Sequence, residues 1–368
     1  MNKEMTSSKF IKTFLVFCIL LLVLCGGITM LFDPFYHYHK PLPHLKAVLT
    51  DKEYQVPGTL DHFDYDAVIA GSSVAENNNN RWYDETFDCK SVKAIRSYGA
   101  TADLVYYLDR AFEHRYIKYV FLNLDPSSLT ADPDNTTFES VGAPMYLYDQ
   151  NPINDVRYLW NKDVIFKKIP YLLANSFIGN YDEGTSYNWA QWKAFDEETA
   201  LYHYIQSPKV LDMNPEDTYH DICDQNVSLI TDMVIAHPDT EFYIFLPPYS
   251  VLWWDSLYRE GDTDAYISME ERAFRTLLKY ENIHLYNFQD DIPVTTDLEN
   301  YTDSLHFSPK INEYICHCMK DKKFLISNEE DLENSFGHTK MFSVAAPSYV
   351  KNEFGDRIKV DIIPENGQ

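Results

Sequence analysis

The segment Tyr65-Asp66-Ala67-Val68-Ile69-Ala70-Gly71-Ser72-Ser73 reads as an apolar strand that runs into a tight turn bearing serine. Further apolar strands are expected over 91–97, 118–124, 241–246 and 283–288, with helical patterns over 102–114, 216–236, 263–281 and 309–321. Short apolar strands alternating with helices imply a parallel sheet, here of five strands, covered by helices on both faces. Such sheets place their sites beyond the carboxyl ends of the strands. Asp303-Ser304-Leu305-His306 falls in a loop just before the last of these helices. A serine after the first strand and an Asp-x-x-His near the end of the domain can form a Ser-His-Asp triad. Hydrolysis or transfer of an acyl group is the chemistry this predicts. A helix starting soon after the turn would aim backbone N–H groups at developing negative charge.

Residues 1–13 carry Lys3, Lys9 and Lys12 and are expected on the cytoplasmic side. The run from Phe14 to Phe32 contains no charged residue, and nineteen residues of helix just cross a hydrocarbon layer of roughly 30 Å. Lysines before the run predict a single-pass protein of the cell membrane with an extracytoplasmic C-terminal body. A cleaved signal peptide is the rival reading. It is disfavoured because the run is long and ends Gly27-Ile28-Thr29-Met30-Leu31, without an Ala-x-Ala-like site. Residues 33–62, aromatic and dotted with proline, read as a stalk or strap. The stretch 126–215, rich in Tyr, Trp, Asn and Asp, reads as a mostly helical insertion near the site, because a structureless loop of that length is implausible. The end, 327–368, reads as a polar appendage.

A formal net charge of −25 excludes nucleic acid as a partner, since that binding rests on neutralising phosphates. Cys18 and Cys25 lie in the apolar run. Cys89, Cys223, Cys316 and Cys318 lie outside it, too few for a disulfide scaffold, and Cys316-His317-Cys318 reads as ordinary helix positions or one disulfide. No metal or organic cofactor is expected.

An α/β-hydrolase would read Gly-x-Ser-x-Gly and separate its acid from its histidine. Here Ala75 takes the last position, and Asp303 and His306 stand three residues apart. Gly71-Ser72-Ser73 and Asp303-x-x-His306 resemble the blocks of the SGNH (GDSL-like) hydrolase superfamily over roughly residues 63–322. The resemblance implies a three-layer α/β/α, flavodoxin-like domain, placed at 63–326. It makes Ser73 the nucleophile, His306 the base and Asp303 its orienting acid. Gly99, in Ser97-Tyr98-Gly99-Ala100, matches the glycine whose N–H joins that of Ser73 in the oxyanion hole. The third block departs from the family: Leu122-Asn123-Leu124-Asp125-Pro126 stands where Gly-x-Asn-Asp is usual, which leaves Asn77 as a substitute donor. The anchor and the Gly-Ser-Ser form resemble membrane-anchored SGNH proteins of envelope O-acylation, the D-alanine transfer and alginate acetylation types. These imply an esterase or O-acyltransferase acting on cell-envelope polysaccharide or another O-acylated substrate, with a membrane-bound O-acyltransferase as a partner. The alternative is a non-catalytic accessory of the same fold that binds glycan or such an acyltransferase. Tyr249 and Trp253, in Pro247-Pro248-Tyr249-Ser250-Val251-Leu252-Trp253-Trp254, are candidates to stack on sugar rings.

Overall fold

The computed structural model describes residues 7–361, so Lys3 and residues 362–368 of the expected appendage lie outside the described residues. The chain forms two compact units, one from Met1–Phe63 with Glu139–Glu183 and the other from Asp64–Phe138 with Gly184–Gln368.

The first unit begins with α1 (Ser7–Phe32), which is long and apolar enough to cross a membrane. Beyond it, the buried Asp33 carboxylate accepts from the backbone N–H groups of His37, Tyr38 and His39 and from the Tyr158 hydroxyl. Helix α2 (Lys52–His62) presents Gly58 to the carbonyl of Tyr36, where a Cβ would stand 2.3 Å from the oxygen. Gln55 on the same helix donates to the carbonyls of Pro34 and Val48. The stretch expected as a strap is thus folded into this unit by buried polar groups that all find partners, as burial demands.

The second unit is α/β. The strands of its main sheet are β1 (Ala67–Gly71), β2 (Ser91–Ile95), β3 (Tyr119–Asn123), β4 (Glu241–Leu246), β5 (Ile283–Asn287) and β6 (Leu325–Ile326); Ile205–Gln206 and Lys359–Val360 pair separately. They lie in the order β2-β1-β3-β4-β5-β6. The first five are parallel, while β6 runs antiparallel to β5, so the sheet is mixed and six-stranded rather than the expected five parallel strands. The reason lies in two residues. Lys322 and Phe324 adopt left-handed backbone conformations (φ 59° and 63°) after the helix 309–321 and turn the chain back along β5.

Helix α3 (Asn80–Phe87) leads from β1 to β2, and α4 (Thr101–His114) leads from β2 to β3 in the opposite direction across the sheet. Right-handed crossovers therefore put the two on opposite faces. Helix α4 packs with α5 (His220–Ala236), and α5 with α7 (Thr263–Leu277), which follows α6 (Val251–Glu260). Helix α3 packs with α8 (Pro309–Asp321) on the other face. Residues 327–361, expected as an appendage, carry α9 (Glu329–Phe354), whose Leu332, Phe336, Ala346 and Val350 are buried and which packs on α6 and α7. The expected insertion divides between the units: 139–183 belongs to the first, its flanks to the second. All six cysteines are free thiols.

Glu270 on α7 is fully buried; one carboxyl oxygen accepts from Gln289 at 3.0 Å and the other has no partner. Desolvation pushes its pKa up from 4.5 to about 8. A raised pKa means the folded chain binds more protons than the unfolded one between these values. Stability from this group is therefore full below pH 4.5 and is lost as pH rises towards 8. Lys93, buried and lowered to about 7, acts only above that pH. Glu270→Gln should flatten the decline in stability between pH 4.5 and 7, as read by denaturant unfolding at stepped pH.

Candidate active site

The site is built where β1, β3 and β4 end. Gly71 closes β1 at φ 156°, and a Cβ there would lie 2.8 Å from the Cβ atoms of both Ala75 and Asn123. Only glycine permits that approach. The chain then turns on the bonds from Ala75 N–H to the Ser72 carbonyl and from Asn78 N–H to the Ala75 carbonyl. No helix follows directly: α3 starts at Asn80, so the expected helix N-terminus beneath Ser73 is replaced by consecutive turns. Across the unit, Tyr301 and Phe307 form an antiparallel bridge that ties 301–307 into a small hairpin. Its tip is held by Ser250, whose N–H and hydroxyl both donate to the Ser304 carbonyl.

These two loops bring Ser73, His306 and Asp303 together. The Ser73 hydroxyl oxygen lies 2.8 Å from His306 Nε2, and His306 Nδ1 lies 2.8 Å from Asp303 Oδ2. The other Asp303 oxygen accepts from the backbone N–H groups of Leu305 and His306. Partial burial works against the Asp303 charge, but the His306 ring and these N–H groups outweigh it and hold the pKa below the ordinary carboxylate value. An ionised Asp303 accepts from Nδ1–H, which leaves Nε2 as an acceptor for the serine proton. That arrangement can abstract a proton from Ser73 and return it to a leaving group.

The expected oxyanion donors are placed differently. The Gly99 N–H is committed to the Arg96 carbonyl at 2.9 Å, inside a turn in which neighbouring Tyr98 takes a φ of 54°. Asn77 is buried; its Oδ1 accepts from the N–H groups of Trp189 and Ala190, and its Nδ2 has no partner. The Ser73 N–H donates to none of the turn carbonyls. The sugar-stacking candidates are also placed differently. Tyr249 is buried with its hydroxyl on Asp125, and Trp253 packs edge-on against Tyr249, Trp254 and Tyr266.

Two features escaped the sequence reading. Trp189 donates from its indole N–H to the Ser73 carbonyl at 3.0 Å and stands edge-on to the His306 ring, centroids 5.1 Å apart. Its segment is fastened by Lys93, which donates to the carbonyls of Glu76 and Ser186. The second is Asp125, fully buried, which accepts from Tyr249, Asn123 and Ser72 and has its pKa raised by desolvation. Asn123 thus points to Asp125. A tryptophan within ninety residues of irregular sequence carries no signal that singles it out.

Known protein families, curated proteins and solved structures contain no match to this chain. The geometry of Ser73, His306 and Asp303 carries the functional reading.

Because the Tyr249 hydroxyl serves a buried carboxylate, Tyr249→Phe should destabilise the chain by about 1–3 kcal/mol, the usual penalty of an unsatisfied buried polar group. Equilibrium unfolding of the two proteins measures it.

Proposed function

We propose that the chain is an extracytoplasmic, membrane-anchored serine esterase or O-acyltransferase of the SGNH type, acting on acylated cell-envelope glycans. The observation that carries this reading is the continuous chain of 2.8 Å contacts from Ser73 through His306 to Asp303. Its position beyond the carboxyl ends of parallel strands in the order β2-β1-β3-β4-β5, a flavodoxin-like order, supports the fold assignment.

In the proposed reaction the Ser73 oxygen attacks an ester carbonyl while His306 Nε2 takes the hydroxyl proton. Asp303 stabilises the imidazolium that forms. The tetrahedral oxyanion is met by the Ser73 N–H, with Asn77 Nδ2, a buried side-chain donor without a partner, as a second. His306 then protonates the leaving alcohol, and Ser73 is left acylated. Water, or a sugar hydroxyl, gives up its proton to His306 and takes the acyl group, and His306 passes that proton to the departing Ser73 oxygen, which restores the serine and the neutral imidazole. Trp189 covers one edge of the imidazole.

The second reading is a non-catalytic accessory that binds glycan or a membrane-bound O-acyltransferase. The engaged Gly99 N–H favours it, because one donor of the family's oxyanion hole is missing from the free set.

A fluorophosphonate probe applied to the full chain in detergent separates the two. Labelling at Ser73, with release of acid from a nitrophenyl ester, is expected. Ser73→Ala should abolish both, and Asp303→Asn should lower the rate by about 10⁴-fold, as loss of the orienting acid does in serine triads. Absence of labelling in folded wild-type protein sinks the enzymatic reading.

A further inference from the structure

The charges at the two ends of α1 set where a bilayer would lie on it. From Lys12 to Asp33 the helix spans roughly 31 Å at 1.5 Å per residue, matching a hydrocarbon layer of about 30 Å. Leu22 lies near the middle of that span. Its carbonyl accepts the Trp160 indole N–H at 2.8 Å, and the indole ring lies over Gly26, where a Cβ would be 3.4 Å away. One turn further on, the Thr29 hydroxyl donates to the Leu159 carbonyl at 3.0 Å. The helical turns Val156–Leu159 and Val164–Lys168 both pack on α1.

A segment outside the anchor therefore sits at hydrocarbon depth. Backbone and indole polar groups there must be satisfied by protein, since lipid offers nothing. Both the Trp160 N–H and the Leu159 carbonyl are. The outer side of the same stretch is apolar and bare: Phe166 and Ile178 are 76% and 86% exposed, and Ile153 and Phe177 are exposed with them. Four large apolar side chains bare within one 26-residue stretch call for a covering surface. Residues 153–178 also invert the charge of the chain. Arg157, Lys162, Lys167 and Lys168 stand against Asp155 and Asp163 in a protein of net charge −25; Lys167 pairs with Asp163, Lys168 with Asp51, and Asp155 is buried on His37 and Tyr38, so Arg157 and Lys162 are the side chains offered to headgroups. Long basic side chains can keep their stems in apolar surroundings and reach the headgroups. Aromatic and basic residues together are the profile of an interfacial element.

We infer that residues 153–178 are a monotopic element inserted beside α1 in the leaflet on its Asp33 side, gripping acyl chains and anionic headgroups. This rests on the reading of α1 as a retained span.

The test is to reconstitute the full chain into phosphatidylcholine–phosphatidylglycerol vesicles whose acyl chains are brominated, and to follow tryptophan emission. Quenching relative to unbrominated vesicles is expected, and Trp160→Phe should remove most of it. Placing the reporter on the exposed neighbour, Ile178→Trp in the Trp160→Phe background, should restore it without disturbing packing. If α1 is present in the vesicle-bound protein and neither substitution changes quenching, the surface faces water or a protein partner and the inference falls alone. If the vesicle-bound protein lacks α1, or the chain stays in solution, the anchor reading falls and takes this one with it.

Discussion

No side chain fits at residue 71, and the site is arranged around that exclusion. With Ala75 on one side and Asn123 on the other, each 2.8 Å from the position of a Cβ, the turn after β1 lies directly against the end of β3. That proximity lets the Ser72 side chain reach Asp125, two residues past β3, while Ser73 turns towards His306. Tyr249, from just beyond β4, closes on the same carboxylate. Three strand ends are thus joined through one buried acid, and the serine position follows from backbone packing rather than from its own contacts.

The opposite partner is positioned by a different device. His306 hangs from a short hairpin, and the Ser250 bonds to Ser304 pin that hairpin to the start of α6. Asn312 of α8 donates to the Val74 carbonyl at 2.9 Å and ties the helix after the hairpin to the serine turn. Side-chain bonds to backbone carbonyls therefore hold Ser73 and His306 in register.

Much of the framework was legible because it rests on local patterns. The apolar runs that end at Gly71, Asn123 and Leu246 announce buried parallel strands, and the spacing of Asp303 and His306 is visible without any fold. What escaped depends on contacts between distant residues. Strand β6 has only two residues and owes its direction to the left-handed turns at Lys322 and Phe324. Helix α9 buries Thr339, Ser343 and Ala346 among Leu332, Phe336, Phe342, Val350 and Phe354, so its inward stripe is broken by polar and small residues and hydropathy does not reveal it. The division of 126–215 between two units is likewise set by packing: Tyr158 bonds to Asp33, whereas Asn188 and Trp189 bond to Asn77 and Ser73. The stretch Ser97-Tyr98-Gly99-Ala100 could not show that the Gly99 N–H already has an acceptor.

The two carboxyl groups near His306 are placed in opposite environments, and the proposed chemistry needs that contrast. Asp303 is half-exposed and accepts from two backbone N–H groups and the imidazole, so it stays ionised and supports the positive charge that His306 acquires. Asp125 is fully buried, and desolvation raises its pKa despite the Tyr249, Ser72 and Asn123 donors. A second full negative charge in that position would oppose the oxyanion forming on the substrate, and at low local dielectric the repulsion would be large. Desolvation opposes the charge at Asp125, while the donors around it favour it. Two carboxyls with pKa values pushed apart by environment suit separate roles: in the proposed chemistry Asp303 would orient His306, while Asp125 ties together the strand ends beside Ser73.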